Sequence, residues 1–187
     1  MRIISGKLKG KKILEPKDRA TRPLKDLTKE SIFNILQHTN KFNVEMQDSH
    51  VLDLFSGVGS FGLECLSRGA AYVTFVENYK EVLVILKKNI SNLNYENKSL
   101  IVEKDIFNDL NFNNFNKKFN IIFIDAPYKE KDLLPLIKKI SDTEILCKNG
   151  ILIIHHHKKE VGKYSENFKI IEEKTYGISK IIFGSFS

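Results

Sequence analysis

Residues 51–62 read Val-Leu-Asp-Leu-Phe-Ser-Gly-Val-Gly-Ser-Phe-Gly, and this stretch decides the fold. Its apolar beginning predicts a strand over 51–55, and its three glycines form a G-x-G-x-x-G pattern where a helix is predicted near 60–69. Glycines at a helix start let the backbone approach a ligand, and the exposed N–H groups there interact with it. The stretch therefore predicts a strand, a ligand loop and a helix rather than a tight turn that binds nothing.

The rest of the chain alternates short apolar runs with amphipathic segments, which is typical of βαβ units. Further strands are predicted at 72–77, 99–103, 120–125 and 151–155, helices near 79–93 and 130–141, and an Asn-rich loop at 108–120. The last part differs, because the turn Tyr176-Gly177 separates two β-like runs, 168–175 and 178–186, and predicts an antiparallel hairpin. We therefore predict an α/β fold, a Rossmann-like three-layer αβα sandwich whose mostly parallel, seven-stranded sheet ends in this hairpin.

The N-terminal part precedes this alternating pattern. Residues 2–14 read as strand, turn and strand, which predicts a small hairpin rich in lysine. Apolar residues at helical spacing from Leu24 to Leu36 then predict an amphipathic helix that continues toward His38. We accordingly predict two parts, an N-terminal extension of residues 1–40 and an α/β domain of residues 41–187.

The positive charge of the chain is concentrated in this N-terminal part. The formal net charge is +7, and residues 1–30 contain ten Lys or Arg against four Asp or Glu, which makes +6. A solvated lysine-rich surface would explain the lysine count, since the chain has 26 Lys and 4 Arg, but it would not explain their location. A localised basic segment favours contact with nucleic-acid phosphates. The candidates are Arg2, Lys7, Lys9, Lys11 and Lys12.

Composition excludes several other classes of protein. With 187 residues, 42% of them apolar, the chain can bury a core without disulfides or metals. Cys65 and Cys147 lie far apart and match no metal-ligand spacing, so neither a disulfide nor a zinc site is expected. The three histidines at 155–157 predict no metal site, because neighbours on a strand point to opposite faces. No signal peptide or membrane span is predicted, so we expect a cytoplasmic protein.

Two acidic residues indicate which ligand the glycine loop binds. Asp53 lies four residues before Gly57, where it would repel the pyrophosphate of a dinucleotide but attract the ammonium and sulfonium of S-adenosylmethionine. Glu77 follows Gly57 by 20 residues, at the end of the next predicted strand, where a carboxylate can bind a ribose diol. The sequence therefore favours S-adenosylmethionine as the ligand.

The predicted strand 120–125 ends in a polar tetrapeptide, Asp125-Ala126-Pro127-Tyr128. Ligands of open α/β sheets bind at the carboxyl ends of the strands, which is where this tetrapeptide lies. The residue before a proline is held in extended geometry, so the Ala126 carbonyl has a fixed direction. Asp125 and that carbonyl can accept the two hydrogens of an exocyclic amine, while Tyr128 can stack on the base.

These motifs resemble the class I methyltransferases that modify amino groups of nucleic acids, in which Asp/Asn-Pro-Pro-Tyr/Phe is usual. Here Ala126 replaces the first proline, which reduces stiffness but keeps the carbonyl. Four further segments resemble the bacterial RsmD family, the 16S rRNA methyltransferases that modify N2 of guanine 966. They are residues 2–10, Thr21-Arg22-Pro23, residues 30–36 and residues 66–70.

The resemblance implies a role for each candidate residue. It implies that the cofactor S-adenosylmethionine is bound by Asp53, Phe55, Gly57, Gly59, Glu77, Asp105, Ile106, Thr21 and Arg22. It implies that Asp125, Ala126, Pro127 and Tyr128 hold the target base, that Arg22 also contacts RNA, and that no metal takes part. The implied partner is 16S rRNA in the small subunit or a late assembly intermediate, bound by a monomer.

Three other functions stay open at this point. The same tetrapeptide also suits a DNA methyltransferase that acts on N6 of adenine, although 187 residues leave little room for a domain that reads a DNA duplex. The glycine pattern also permits a nicotinamide-dependent oxidoreductase, against which Asp53 and the tetrapeptide count. A non-catalytic RNA-binding protein with a Rossmann-like shell is the fourth interpretation.

Overall fold

The computed structural model describes residues 1–16, 24–127, 133–159 and 164–187. The helices in these residues are α1 (Asp26–His38), α2 (Ser60–Ser67), α3 (Lys80–Asn92) and α4 (Leu134–Asp142). The strands are β1 (His50–Leu54), β2 (Tyr72–Glu77), β3 (Ser99–Glu103), β4 (Phe119–Ile124), β5 (Leu146–His157), β6 (Phe168–Tyr176) and β7 (Ser179–Phe186). They form one sheet in the order β3-β2-β1-β4-β5-β7-β6.

The sheet is parallel from β3 to β5, and β7 is antiparallel to both of its neighbours, β5 and β6. The predicted α/β fold with its C-terminal hairpin is confirmed. The chain builds the sheet outward from β1 in one direction and then returns to place β4 on the other side. A crevice therefore opens beyond the carboxyl ends of β1 and β4, which is where open sheets bind ligands.

Apolar side chains cover both faces of the sheet, because the strands alternate between two separate clusters. Val51 and Ile121 face a cluster shared with α1, α2 and α3, and we call this side the α2 face. Leu52 and Ile122 face a second cluster that includes α4, and we call this side the α4 face. Within the described residues the fold thus has helix, sheet and helix layers. None of the helices there has the length and apolarity to cross a membrane.

Two predicted elements differ from the structure. Strand β5 begins five residues earlier than predicted and runs on to His157. The predicted loop at 108–120 contains a short helical turn, Phe112–Asn114, and the Phe112 side chain is fully buried on the α4 face. The burial of Phe112 was not predicted, because the surrounding asparagines are typical of an exposed loop.

The predicted N-terminal hairpin is wrong in one respect, since its arms share a single β-bridge, Arg2 with Lys12, instead of forming two strands. The arms do run antiparallel, and Ile3 N donates to the Lys11 carbonyl over 2.9 Å. Neighbouring N–H groups turn away toward α2, however, because a buried carboxylate there accepts them. Ile4 N and Ser5 N donate to Glu64 over 2.7 and 2.9 Å.

Buried charges hold the first arm of this N-terminal segment, residues 1–16, against the domain. Glu64 is fully buried and also accepts from Arg68 Nε over 2.8 Å. Lys29 of α1 is fully buried too, and its Nζ lies 3.8 Å from Glu64 and donates to the Arg2 carbonyl over 2.7 Å. Burial lowers the pKa of Lys29, and the charge of Glu64 opposes that shift. Each charge stabilises the other in the core, where Arg68 also pairs with Glu64 and Asp26 lies 3.7 Å from Lys29 Nζ.

The second arm is held by α3. The buried Asn89 accepts from Leu14 N over 2.8 Å and donates to the carbonyls of Leu14 and Val58 over 3.1 and 3.0 Å. Ile3 and Ile13 belong to the apolar cluster of the α2 face. The N-terminal segment is thus packed into the same core as the sheet, and the division of the chain at residue 40 stays a prediction.

Candidate functional site

The glycine loop between β1 and α2 is built from residues in left-handed backbone conformations. Phe55, Gly57 and Gly59 have φ values of +58°, +54° and +85°. A Cβ on Gly59 would lie 2.6 Å from Leu86 Cδ1, so a side chain there would disturb α3 as well. Gly62 serves packing instead, because a Cβ there would lie 2.3 Å from Phe75 Cε1 of β2. The first two glycines thus shape the loop, and the third allows α2 to pack closely against β2.

Asp53 ends up almost fully buried beside this loop, with 1% of its surface exposed. Its Oδ2 accepts from Gly62 N over 3.0 Å, so it satisfies one of the open N–H groups at the start of α2. Burial raises the pKa of Asp53 well above its usual range, the charges of Asp125 and Glu77 add to this, and the Gly62 N–H opposes it. The sequence did not reveal this helix contact, although an acid nine residues before the third loop glycine is the signal for it.

Glu77 closes the loop from β2. Its Oε2 accepts from Gly57 N over 2.8 Å, and its Oε1 accepts from Asn78 N and Tyr79 N, both over 2.9 Å. A carboxylate offers about four lone-pair positions, and these three bonds occupy two of them on Oε1 and one on Oε2. Oε2 can therefore accept a further bond from a hydroxyl group.

Asp105 lies just after β3 and borders the crevice near Glu77. We call this border, formed by the glycine loop and the ends of β2 and β3, the rim. Asp105 accepts from Asn78 Nδ2 over 3.0 Å, and from Phe107 N and Asn108 N over 3.0 and 2.8 Å. The Ile106 side chain is buried in the cluster on the α4 face, so it faces the core rather than the rim. The half-buried Phe107 lies against Phe55 instead, with 5.8 Å between ring centres. Sequence reasoning named Phe55 and Ile106 but missed Phe107.

The end of β4 leads into the first three residues of the predicted tetrapeptide. Asp125 follows β4 directly, and its N–H donates to the Leu54 carbonyl of β1 over 3.3 Å. The Asp125 side chain is 21% exposed, Ala126 is buried and Pro127 is exposed. Asp125 follows the parity of Ile121 and Phe123, which face α2, so it lies on the same sheet face as Asp53.

Several predicted residues lie outside the described residues. They are Thr21, Arg22, Pro23 and Tyr128. In the part of the chain that the structure covers, no group of three or more His, Cys, Asp or Glu is arranged to hold a metal ion.

Sequence reasoning missed His155 as a member of the site. It follows Ile154 on β5, which pairs with Ile124 on β4, so the register places it beside Asp125. His155 Nδ1 lies 2.7 Å from Asp125 Oδ1, and the histidine is 5% exposed. The triplet at 155–157 was interpreted as a strand end without a metal site, and the sequence alone does not show that this strand end aligns with that of β4.

The cationic residues of the N-terminal segment lie along α2. The turn at Lys7 packs on the end of that helix, where Lys7 N donates to the Ser67 carbonyl over 2.7 Å. The arms reach back to its beginning, where Lys29 Nζ bridges the Arg2 carbonyl and Ser60 Oγ at 2.7 and 3.3 Å. Because α2 has eight residues, this spans about 12 Å. The five candidate cations are all exposed; they are Arg2, Lys7, Lys9, Lys11 and Lys12.

The sheet order, with antiparallel β7 between β5 and β6, and the glycine loop with acids at the strand ends define a methyltransferase of the Rossmann-like class. The solved structure of "Putative methyltransferase yhhF" from Escherichia coli agrees, with a TM-score of 0.82, 26% identity and coverage of 100% of this chain and 97% of that one.

Sequence comparison narrows the class to one family. Residues 1–185 match the family described as Conserved hypothetical protein 95. Ribosomal RNA small subunit methyltransferase D of Buchnera aphidicola is 33% identical, over 92% of this chain and 86% of its own length. The protein of the same name from Haemophilus influenzae is 30% identical, over 95% and 90%. The chain belongs to this methyltransferase D family, and the resemblance found in the motifs is confirmed.

Proposed function

We propose that this protein transfers a methyl group from S-adenosylmethionine to the exocyclic N2 of a guanine in 16S rRNA, guanine 966 by family resemblance. The position of Asp125 carries the proposal, because its N–H bonds to the carbonyl of Leu54, the residue before the glycine loop, and it lies on the same sheet face as Asp53. The family relatives named for small-subunit rRNA support this substrate. The proposed setting is the cytoplasm, where a monomer acts on the small subunit or a late intermediate.

The rim of the crevice is the proposed cofactor site, and bound S-adenosylmethionine supplies an electrophilic methyl group on a sulfonium. Asp53, Phe55, Gly57 and Gly59 surround the methionine end, and Glu77 Oε2 accepts from the ribose. Asp105 lies beside the adenine together with the backbone of Ile106, and the ring of Phe107 lines the same place. Thr21 and Arg22 cover the cofactor in this proposal.

The proposed reaction needs a poor nucleophile to be held and activated. The lone pair of the guanine amine is delocalised into the ring, and hydrogen bonds from its two hydrogens to Asp125 and the Ala126 carbonyl favour a pyramidal nitrogen. These acceptors also stabilise the positive charge that develops on N2 as the N–C bond forms and the S–C bond breaks. Asp125 then takes the proton that N2 loses. Pro127 fixes the Ala126 carbonyl, and Tyr128 stacks on the base.

Replacement of Glu77 by Ala is expected to weaken S-adenosylmethionine binding by roughly 10-fold to 100-fold, because a hydrogen bond to a charged group contributes about 1.5–3 kcal/mol. Titration calorimetry measures the dissociation constant. Glu103→Ala is the matched control, since Glu103 pairs with Glu77 in the register of β2 and β3 but is exposed on the next strand. Equal affinities of Glu77→Ala and Glu103→Ala would remove Glu77 from the ribose site.

Replacement of Lys7, Lys9, Lys11 and Lys12 by Gln is expected to weaken RNA binding and to reduce its dependence on salt. If all four contact phosphates, the slope of log K against log salt falls by about 3. The control variant replaces Lys98, Lys138, Lys148 and Lys169 by Gln. These four lysines are also exposed, so the control variant loses the same charge. Binding to a 16S rRNA hairpin over a salt series measures both slopes, and an equal decrease in both variants would mean that net charge alone attracts the RNA.

The deciding experiment uses purified protein, labelled S-adenosylmethionine and small subunits that lack the modification, followed by nucleoside mass spectrometry. The expected product is N2-methylguanosine at one site. Transfer to DNA adenine would instead support the DNA amino-methyltransferase, and binding of rRNA without transfer would support a non-catalytic RNA-binding protein. A thermal shift with NAD but none with S-adenosylmethionine would favour the oxidoreductase.

A further inference from the structure

We propose that His155 is a positioning residue, which fixes the carboxyl group of Asp125 so that one oxygen faces the target amine. The inference rests on the proposed function, because it gives a role to the neighbour of the residue that is proposed to hold that amine. It concerns a contact between β4 and β5 that the methyltransferase motifs do not include.

The backbone places the two side chains together. Ile124 of β4 pairs with Ile154 of β5, so Asp125 and His155 are the next residues on adjacent parallel strands. Both follow residues of the same parity, Ile121 and Phe123 on β4 and Ile151 and Ile153 on β5, which belong to the cluster on the α2 face. Asp53 of β1 lies on that face too. The crevice is therefore bordered by three neighbouring strands that present Asp53, Asp125 and His155 to one side.

Hydrogen-bond chemistry assigns a direction to the contact. An ionised carboxylate only accepts, so the Nδ1 of His155 carries the hydrogen when Asp125 is charged. The 2.7 Å distance from Nδ1 to Oδ1 is that of a charge-assisted bond. Since Oδ1 receives this bond, Oδ2 is the oxygen that is left to accept from the target amine. The histidine thereby selects which carboxylate oxygen takes part in the reaction.

The environment explains why such a partner is useful. The charges of Asp125 and Glu77 both act on the buried Asp53, so three carboxyl groups share this end of the sheet. A donor at Asp125 Oδ1 limits rotation of this carboxyl group about its Cβ–Cγ bond. A carboxylate that is free to rotate would spend part of its time with neither oxygen aimed at the amine.

The other two histidines of the triplet serve as internal references. His156 has the opposite parity, that of Leu152 and Ile154, and so belongs to the α4 face. His157 has the parity of His155 but lies two residues further on, and its Nδ1 accepts from Lys159 N over 3.1 Å. His155, by contrast, lies with its Nδ1 at 2.7 Å from Asp125 Oδ1.

The test compares His155→Leu with His155→Asn, because the Asn Nδ2 can occupy the place of Nδ1 and restore the donor. For His155→Leu, kcat is expected to fall by roughly 10-fold to 100-fold, as is usual when an orienting partner of a reacting group is removed. The KM for S-adenosylmethionine is expected to stay within about 2-fold, since the rim that binds it is intact. For His155→Asn, kcat is expected to recover at least half of the lost activity on a logarithmic scale.

His157→Leu is the matched control and is expected to keep the kcat of the unmodified protein. Equal kcat values for His155→Leu and the unmodified protein would overturn the inference. So would equal losses in His155→Leu and His155→Asn when both melt at the temperature of the unmodified protein, because the restored donor would then have no effect.

A second measurement separates the failure of this inference from failure of the proposed function. The imidazole ¹⁵N shifts of His155, assigned by comparison with His155→Asn, report which ring nitrogen carries the hydrogen, whether or not the protein methylates RNA. We expect hydrogen on Nδ1, and a change of these shifts in Asp125→Ala. Hydrogen on Nε2 alone, or shifts that ignore Asp125→Ala, would overturn the contact even in an active enzyme. Absence of methyl transfer with the expected shifts would instead reject the function and keep the contact.

Discussion

Replacement of Asp125 by Ala is expected to lower kcat by roughly 100-fold to 1000-fold, the usual loss when one group that stabilises transition-state charge is removed. The dissociation constant for S-adenosylmethionine is expected to change by less than about 3-fold, because the proposed cofactor rim lies at the ends of β1, β2 and β3 and Asp125 follows β4. Single-turnover kinetics and calorimetry measure the two quantities. Equal losses of rate and affinity would move Asp125 from the target base to the cofactor.

Two further substitutions sharpen this result. Asp142→Ala removes an exposed acid at the end of α4 and is expected to leave kcat unchanged. Asp125→Asn keeps the shape but has only one side-chain oxygen, which can face either His155 or the amine. Its kcat is therefore expected to lie close to that of Asp125→Ala. A fully active Asp125→Asn would show that a single acceptor oxygen suffices.

Replacement of Gly6 by Ala is expected to lower the free energy of unfolding by about 3–5 kcal/mol, which corresponds to a Tm decrease of about 10 °C for a chain of this length. A Cβ on Gly6 would lie 1.9 Å from the Ser67 carbonyl oxygen, so the turn cannot stay docked on α2. Undocking also breaks the bonds from Lys7 N and Leu8 N to Ser67, 2.7 and 3.0 Å long.

Gly10→Ala is the matched control, because Gly10 has nearly the same backbone angle, φ +85° against +80°, but open space around its Cβ position. It bears only the left-handed strain of about 1–2 kcal/mol, so its Tm is expected to fall by roughly 3–5 °C. Thermal unfolding followed by circular dichroism measures both variants. Equal Tm values would mean that strain at the turn, and not its contact with α2, determines the stability of this segment.

The sequence predicted the sheet well because the evidence for it is local. β2 and β3 begin and end at the predicted residues, since each apolar run ends at a glutamate, Glu77 in β2 and Glu103 in β3. The glycine loop was predictable for the same reason, as the need for left-handed angles and close packing selects glycine directly. Its acids, Asp53 and Glu77, also lie where the strand ends were expected to place them.

What the sequence did not predict depends on contacts between distant residues. The bond that Ile4 N donates to Glu64 joins residues 60 positions apart, and no periodicity of the sequence indicates it. The pairing of His155 with Asp125 requires the strand order and the register of β4 and β5. Ile106 and Phe107 are neighbours in one turn, and only the packing of that turn decides which of the two side chains faces the core. A shift of one residue would exchange them.

The docking of the N-terminal segment sets an order of events during synthesis. Its hydrogen-bond partners on α2 and α3 follow it in the chain by 59 to 75 residues, so they do not yet exist when the segment is made. Closing contacts over such separations costs chain entropy, and the segment cannot fold early. Until it arrives, the carboxylate of Glu64 has no backbone N–H groups from Ile4 and Ser5. The most basic part of the protein is therefore synthesised before α2 and α3 but completes its folding after them.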